Sequence, residues 1–356
     1  MKSLTPIAVV FAFCAAMADP AAAQLTAAPS SNGGAEAISE EIFGPRRNVD
    51  LAFGAFQRGR YLTALALALQ RAEQNDAAAQ TLIATIYANG LGVAQNLALA
   101  SSWYAIGAQN GDASAAFQLA LMYQHGRGVP RNPKRAAELF RQAAEAGHRE
   151  AKYNLALLHI EGTSAEPSFA RAVELLREAA QAGLPEAMYD YGIMLMEGAG
   201  IIPDTRAGAE QIGRAAQMGL PEAQVEYATL LYLGNGVDRD RAAAAQWYAR
   251  AAEAGNAVAQ NRLAKLLAVG EGIEQDFVEA AKWRALARRQ GLVDTELERL
   301  LLSITPEELS LAEQRARFWP ALPPTVAQTP ALTPPNTDDD MRRAMDELVD
   351  ALSSAN

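Results

Sequence analysis

Three histidines are the residues of this chain best suited to acid–base or metal chemistry. His125, His148 and His159 are too few to form a convincing metal site. Gly-x-Gly pairs recur, but no third glycine completes a dinucleotide-binding motif and no strand pattern precedes them. The sequence also lacks the serine-nucleophile, zinc-helix and phosphate-loop motifs. We therefore expect no enzymatic activity, no cofactor and no metal.

Other chemistry-bearing residues recur along the chain at intervals of 36. One column, which is polar after its first member, reads Leu82, Gln118, Asn154, Asp190, Glu226 and Arg262. A second column reads Asn89, His125, Glu161, Glu197, Leu233 and Val269. A third, with aromatic residues in its middle, reads Thr81, Phe117, Tyr153, Tyr189, Val225 and Asn261.

Aromatic rings beside amides and carboxylates are suited to gripping an extended peptide or a helix. The sequence thus predicts a protein-binding groove formed by Phe117, Gln118, His125, Tyr153, Asn154, Glu161, Tyr189, Asp190, Glu197, Glu226 and Arg262. The alternative is that the tyrosines fill space between consecutive units. Two further columns favour packing: His159 shares the position of Tyr87 and Tyr123, and three tryptophans recur at one position, Trp103, Trp247 and Trp283.

Two glycine series set the elements that position these residues. One series is Gly111, Gly147, Gly183, Gly219, Gly255 and Gly291, with Asn75 one step earlier. The other is Gly90, Gly126, Gly162, Gly198, Gly234 and Gly270. Glycine and asparagine most easily adopt the left-handed conformation that ends a helix. Each 36-residue unit is therefore predicted to hold two helices.

Small residues and helix caps complete the pattern of each unit. One small-residue column is Ala79, Ala115, Ala151, Ala187, Ala223 and Ala259, and another is Ala100, Ala136, Ala172, Gly208, Ala244 and Ala280. Small side chains allow two helices to approach closely, so each unit is predicted to be an antiparallel hairpin. The second helix should begin at an N-cap residue, namely Asn96, Asn132, Ser168, Asp204, Asp240 or Asp276.

The pattern resembles the Sel1-like repeat family, which is related to tetratricopeptide repeats. Residues 222–255 follow it almost throughout, with Ala, Tyr, Gly-x-Gly-Val, Asp, Trp-Tyr, Ala-Ala and Gly in register. The resemblance implies an all-α, right-handed α-solenoid of stacked hairpins. Its six units would be 76–111, 112–147, 148–183, 184–219, 220–255 and 256–291. Unit 148–183 departs from the pattern because it lacks the second turn glycine, and unit 184–219 has Gln211 where Trp or Leu is usual.

The flanks are predicted to close the solenoid. Residues 49–75 look like a tetratricopeptide-type capping hairpin, in which Gly59 ends the first helix. Residues 292–319 are predicted to be C-terminal capping helices, because Thr305 and Glu308 form a capping box with Pro306 at the first helical position. Repeat arrays need such polar ends for solubility.

The termini carry different signals. Residues 1–23 have the three parts of a secretory signal peptide, with cleavage predicted after Ala23. A disordered segment (24–48) is expected next. At the other end, a proline-rich linker (320–336) leads to an amphipathic helix or tail (337–356). That last segment is predicted to be autoinhibitory, a bait for another protein or a disordered tail.

The net charge and the predicted export limit the class of partner that this chain can bind. The net charge of −10 argues against a nucleic-acid surface, which needs clustered Lys and Arg. The one cysteine, Cys14, lies inside the predicted signal peptide, so the mature chain would have neither disulfide nor membrane span. We expect a periplasmic or otherwise secreted adaptor. The resemblance implies a partner in envelope signalling or assembly, such as the periplasmic domain of a sensor kinase.

Two alternatives differ in class. One is a module that binds cell-wall glycan or peptide. The other is a weak β-lactam hydrolase, an activity credited to some relatives. Those relatives are cysteine-rich and this chain is not, which disfavours the hydrolase.

Overall fold

The structure, a computed structural model, describes residues 50–162 and 167–320. Within these ranges the chain forms sixteen α-helices and no strand. The helices are α1 Leu51–Gln57, α2 Tyr61–Ala72, α3 Ala77–Asn89, α4 Leu97–Gln109, α5 Ala113–His125, α6 Pro133–Glu145, α7 Arg149–Glu161, α8 Phe169–Gln181, α9 Pro185–Glu197, α10 Thr205–Gln217, α11 Pro221–Leu233, α12 Arg241–Glu253, α13 Ala257–Val269, α14 Phe277–Arg289, α15 Thr295–Leu300 and α16 Pro306–Phe318. The predicted all-α solenoid is confirmed.

Each 36-residue repeat is a hairpin of two helices, and both helices have 13 residues in every repeat. Repeats 1 to 6 are the pairs α3/α4, α5/α6, α7/α8, α9/α10, α11/α12 and α13/α14. Every first helix ends at a glycine whose φ lies between 66° and 74°. Other residues rarely adopt this conformation, so the glycine spacing fixes where the first helices end.

The second helix of each repeat begins at the predicted N-cap. In α4, for example, the Asn96 side chain accepts a hydrogen bond of 2.9 Å from the Leu99 amide. The other five caps accept from the equivalent amide, three residues on. Each cap satisfies one of the free N–H groups at the start of the helix.

Small residues lie where the two helices of a hairpin meet. Every alanine of the two predicted columns is at most 2 % exposed. In repeat 4 the approach is tight, because Gly192 on α9 faces Gly208 on α10: a Cβ added at Gly208 would lie 2.6 Å from the carbonyl oxygen of Gly192. The larger buried side chains, such as Phe140 and Leu176, fill the space between hairpins.

The turns of the middle repeats differ from the sequence expectation in one detail. Repeat 4 does contain a second turn glycine, Gly200, at φ 75°, which the sequence reading had not singled out. The corresponding turn of repeat 3 falls in residues 163–166, outside the described residues.

Additional helices close the described ends of the array. Helices α1 and α2 pack on repeat 1 through a small core that includes Ala64, Ala68 and Ile83. At the other end, α16 begins with the predicted capping box at Thr305. Helix α16 is held against α14 by an Arg315–Glu279 ion pair of 2.6 Å.

The predicted signal peptide (1–23), the segment 24–48 and the C-terminal helix or tail (337–356) lie outside the described residues. So does the predicted linker beyond residue 320.

Candidate protein-binding surface

The first helices of successive repeats are neighbours, and their exposed side forms one surface. We call it the first-helix face; it belongs to α3, α5, α7, α9, α11 and α13. Two contacts join adjacent first helices directly: the Tyr153 hydroxyl donates to the Asp190 carboxylate at 3.0 Å, and Arg262 reaches back to Thr229 at 2.8 Å. Residues one repeat apart therefore lie side by side on this face.

Acidic residues concentrate on the first-helix face of repeats 4 and 5. Glu186, Asp190, Glu222 and Glu226 recur as two pairs, 36 residues apart, and we call them the carboxylate row. Within the described ranges, none of the four forms an ion pair, and one carboxylate oxygen of Glu186 (Oε2) is buried without a hydrogen-bond partner. The row therefore presents uncompensated negative charge.

Burial and negative charge shift the pKa values of two groups in and beside the carboxylate row. Burial raises the pKa of Asp190 to about 6; the hydrogen bond from Tyr153 opposes this shift and the charge of Glu186 adds to it. Burial and the charges of Glu226, Asp190 and Glu222 raise the pKa of Tyr189 to about 12. A cation placed here would relieve this repulsion, because an opposite charge favours the ionised carboxylate.

Phe117 is half-buried and fills the gap between repeats 2 and 3. Its ring stacks on the His148 imidazole at 4.5 Å between centroids and lies 5.8 Å from the Phe140 ring. For Phe117 the contacts are those of the space-filling alternative. Tyr153 and Tyr189 are half-buried, with Tyr153 bonded to the next repeat.

The remaining predicted groove residues are distributed along the face. Asn154 is half-buried and its amide donates to the Glu150 carbonyl at 2.8 Å. Glu161 and Glu197 are exposed at the ends of their helices, and Glu226 is half-buried. Whether these residues bind a partner stays a prediction. Leu82, the apolar first member of the column that holds Asn154 and Glu226, is buried against the N-terminal capping hairpin.

A cleft lies between repeats 1 and 2, where two predicted residues meet. Gln118 and His125 line it together with Asn89, Tyr104 and Arg127. Its volume is about 100 Å³, far below the roughly 300–1,000 Å³ of a small-molecule site. The cleft can therefore take one side chain but not a whole substrate.

Arg262 lies at the boundary of repeats 5 and 6, where it packs into the wall of the solenoid. Its Nη1 donates to the Thr229 hydroxyl at 2.8 Å and to the Tyr248 hydroxyl at 3.0 Å. The guanidinium carbon also lies 5.7 Å from the centre of the Tyr248 ring. Arg262 is thus held by its own protein.

The first-helix face ends at α15. Lys265 forms ion pairs with Asp294 at 2.8 Å and with Glu296 at 2.6 Å. Although burial opposes it, hydrogen bonds from Lys265 and Asn261 hold the pKa of Asp294 at about 2. The charge of Lys265 is therefore neutralised by carboxylates of the capping segment, whereas the carboxylate row has no such partner.

The residues predicted to serve packing occupy packing positions. His159 is half-buried on α7. Trp283 is 6 % exposed in the core, and Trp103 and Trp247 are half-buried beside it. In the described part of the chain, no three His, Cys, Asp or Glu residues are grouped so as to hold a metal ion.

Sequence reasoning missed Glu186 and Glu222 on this face, and it missed Thr85 and Tyr104 beside the cleft between repeats 1 and 2. A signal for them was present. Glu186 and Glu222 recur at the 36-residue step, and Thr85 and Tyr104 recur as Thr229 and Tyr248 after four such steps.

None of the described helices has the length and apolar character required to span a bilayer.

Stacked helical hairpins with a polar side surface define the class of tetratricopeptide-like repeat scaffolds. The Sel1 repeat profile matches six consecutive segments, 77–112, 113–148, 149–184, 185–220, 221–256 and 257–292, each starting one residue after the predicted unit. The chain belongs to the Sel1 repeat family. Sel1 repeat proteins are generally non-enzymatic scaffolds that mediate protein–protein interaction.

Two solved structures are similar to this chain. A Sel1 repeat protein from Oxalobacter formigenes is 29% identical, with a TM-score of 0.62, and the match covers 68% of this chain and 100% of that one. A protective antigen present in uropathogenic Escherichia coli strains, displaying the SLR fold, is 23% identical, with a TM-score of 0.64, covering 80% of this chain and 59% of that one. The second likeness concerns the fold alone. No curated protein matches this chain in sequence.

Proposed function

We propose that this protein is a periplasmic, non-enzymatic adaptor that holds a protein partner on its first-helix face, in envelope signalling or assembly. The observation that carries the proposal is the carboxylate row. Partly buried acidic groups that lie near one another oppose folding. The carboxylate row carries this cost on the outer side of the array, which favours a role in binding. The partner of best complementarity carries a basic segment.

The sequence of residues 1–23 supports the proposed periplasmic compartment. The apolar run and alanine site of residues 1–23 are typical of a secretory signal. The native protein recovered from a periplasmic fraction should have the intact mass of a chain that begins at Gln24. A mass that retains residues 1–23 would refute the localisation.

The binding experiment uses two variants of equal charge change. Asp190→Asn with Glu226→Gln removes two negative charges from the first-helix face. Glu210→Gln with Glu253→Gln removes two from exposed positions on second helices. A periplasmic extract is passed over each immobilised full-length protein, and retained proteins are identified by mass spectrometry.

The first variant should lose about tenfold in affinity for the retained protein, equivalent to roughly 1.4 kcal/mol, and the control should lose little. Binding to the unaltered protein should also weaken as salt is raised, since exposed charges are screened. Equal losses in both variants would refute the role of the face.

The cell-wall alternative makes a different prediction. A wall-binding module should sediment with purified peptidoglycan and retain no single protein. Co-sedimentation that survives the loss of Asp190 and Glu226 charge, without a retained protein, would favour the wall ligand over the adaptor.

A further inference from the structure

The chain contains the same pair of hydroxyl groups twice, separated by four repeats. In repeat 1 the hydroxyls of Thr85 and Tyr104 are 3.1 Å apart, and in repeat 5 those of Thr229 and Tyr248 are 2.9 Å apart. Each threonine also donates at 2.8 Å to a carbonyl four residues earlier. A threonine hydroxyl has one hydrogen, so each tyrosine must donate to its threonine. Both oxygens then keep lone pairs that can accept.

In repeat 5 those lone pairs receive an arginine. Arg262, from the first helix of repeat 6, donates to both hydroxyl oxygens at 2.8 and 3.0 Å, with its guanidinium over the Tyr248 ring. The chain itself therefore shows which group fits a Thr–Tyr pair at this junction. That group is a planar guanidinium, which donates from a fixed geometry and stacks on an aromatic face.

Gln118 is the residue of repeat 2 that corresponds to Arg262. Gln118 is exposed, while Tyr104, which also lines the cleft between repeats 1 and 2, is only 4 % exposed. Among the described side chains, the Tyr104 hydroxyl is the one that donates to the Thr85 hydroxyl, and none donates to the Tyr104 hydroxyl. Each oxygen therefore keeps a lone pair that a further donor can use.

We propose that the cleft between repeats 1 and 2 is a recognition pocket for an arginine side chain of the protein partner, whose guanidinium would donate to Thr85 and Tyr104 as Arg262 donates to Thr229 and Tyr248. This proposal rests on the proposed function, because it names the residue by which the partner's basic segment is anchored. The cleft of about 100 Å³ suits one planar side-chain group.

The charges around the cleft permit a cation. The pKa of Tyr104 is raised by burial and by the nearby Asp112 carboxylate, so the phenol stays neutral and keeps its donor role toward Thr85. The Arg127 guanidinium, which also lines the cleft, is exposed, where solvent and salt weaken its repulsion of a bound cation. The carboxylate row lies further along the same face.

The direct test uses a defined probe on the full-length protein. Acetyl-arginine methylamide is titrated while the Thr85 methyl and Tyr104 ring signals are followed by NMR, with the citrulline counterpart as the neutral control of equal shape. The arginine probe should give saturable shifts, and citrulline should bind at least about tenfold more weakly because a charged donor is the stronger one. Absent shifts, or equal binding of both probes, would overturn the proposal.

Three variants make the test specific. Gln118→Arg should fill the cleft from within, as Arg262 does, and abolish the shifts. Tyr104→Phe removes one acceptor and should weaken binding severalfold; repeat 2 already carries Phe140 at this position, so the fold accepts the ring. Arg262→Gln should create a second site, with new arginine-dependent shifts at Thr229. Unchanged shifts in Gln118→Arg would contradict the assignment.

The outcomes separate this proposal from the adaptor function. If a retained protein survives Gln118→Arg with unaltered affinity, the adaptor stands and the arginine pocket is wrong. If the arginine probe binds at Thr85 and Tyr104 but no protein is retained, the pocket stands and the adaptor function fails.

Discussion

The tight approach of two helices between Gly192 and Gly208 in repeat 4 gives a sharp test of the packing. Changing Gly208 to alanine adds one methyl group to the interior of α10. That Cβ would lie 2.6 Å from the Gly192 carbonyl oxygen and would also overlap the Met196 side chain. Met196 can turn aside, whereas the carbonyl belongs to the backbone of α9. The two helices must therefore separate.

The expected magnitude is a difference of two effects. Alanine in a helix interior is more favourable than glycine by about 1 kcal/mol. Overpacking a tight core costs about 1–3 kcal/mol, and a backbone clash should lie toward the upper end. The net expectation for Gly208→Ala is a loss of about 1–2 kcal/mol.

The matched control is Gly54→Ala in α1. A Cβ at Gly54 would meet only the Arg58 side chain, at 3.4 Å, which is an ordinary contact. The same chemical change should therefore gain about 0.5–1 kcal/mol there. The two variants should move the free energy of unfolding in opposite directions.

Urea unfolding of the full-length variants measures both effects, and hydrogen exchange locates them. Because repeats contact only their neighbours, lost protection in Gly208→Ala should centre on α9 and α10. A Gly208→Ala protein as stable as wild type, or stabilised like Gly54→Ala, would refute the close approach of the two backbones.

Three further predictions concern charge, packing and capping. The pKa of Asp190 is raised from 3.8 to about 6 in the folded state. Its ionisation therefore opposes folding above about pH 6, and this cost disappears below about pH 4. Asp190→Asn, which keeps an acceptor for Tyr153, should raise the Tm at pH 7.5 by an amount that shrinks as the pH falls to about 4; a constant difference in thermal scans would contradict this. Ala223→Leu, at a 0 % exposed position, should cost about 1–3 kcal/mol and reduce hydrogen-exchange protection mainly in residues 184–291, not uniformly. Asn132→Ala removes the cap that accepts from the Arg135 amide at 3.1 Å and should cost about 1 kcal/mol in urea unfolding, whereas Asn132→Asp should cost little.

The backbone of the array was predictable because local chemistry fixes it. A glycine at φ 66°, as at Gly90, ends a helix wherever the rest of the chain lies. A side-chain oxygen such as that of Asn96 caps the next helix within four residues. These signals recur every 36 residues, so repetition separates them from chance. Ala79 and its column follow from the same register.

The surface was less predictable because side-chain direction depends on neighbours one repeat away. Phe117 and Tyr153 share a column, yet the Phe117 ring stacks on His148 while the Tyr153 hydroxyl bonds to Asp190. The 36-residue register gives the position of a residue on its own helix, not the groups that the next repeat places beside it. For the same reason the register does not show that the capping hairpin buries Leu82.

The positions that pack the helices together and the positions on the first-helix face follow different rules in this chain. The two small-residue columns, which begin at Ala79 and Ala100, hold small residues in every repeat, because a larger side chain would press on the adjoining helix. The face columns change at each step: hydroxyl pairs in repeats 1 and 5, carboxylates in repeats 4 and 5, and an inward arginine in repeat 6. Ionised Asp190 lowers the free energy of unfolding. The helix-packing contacts that repeat along the array can tolerate this local cost. We therefore expect a partner to bind where the first-helix face departs from the repeat pattern.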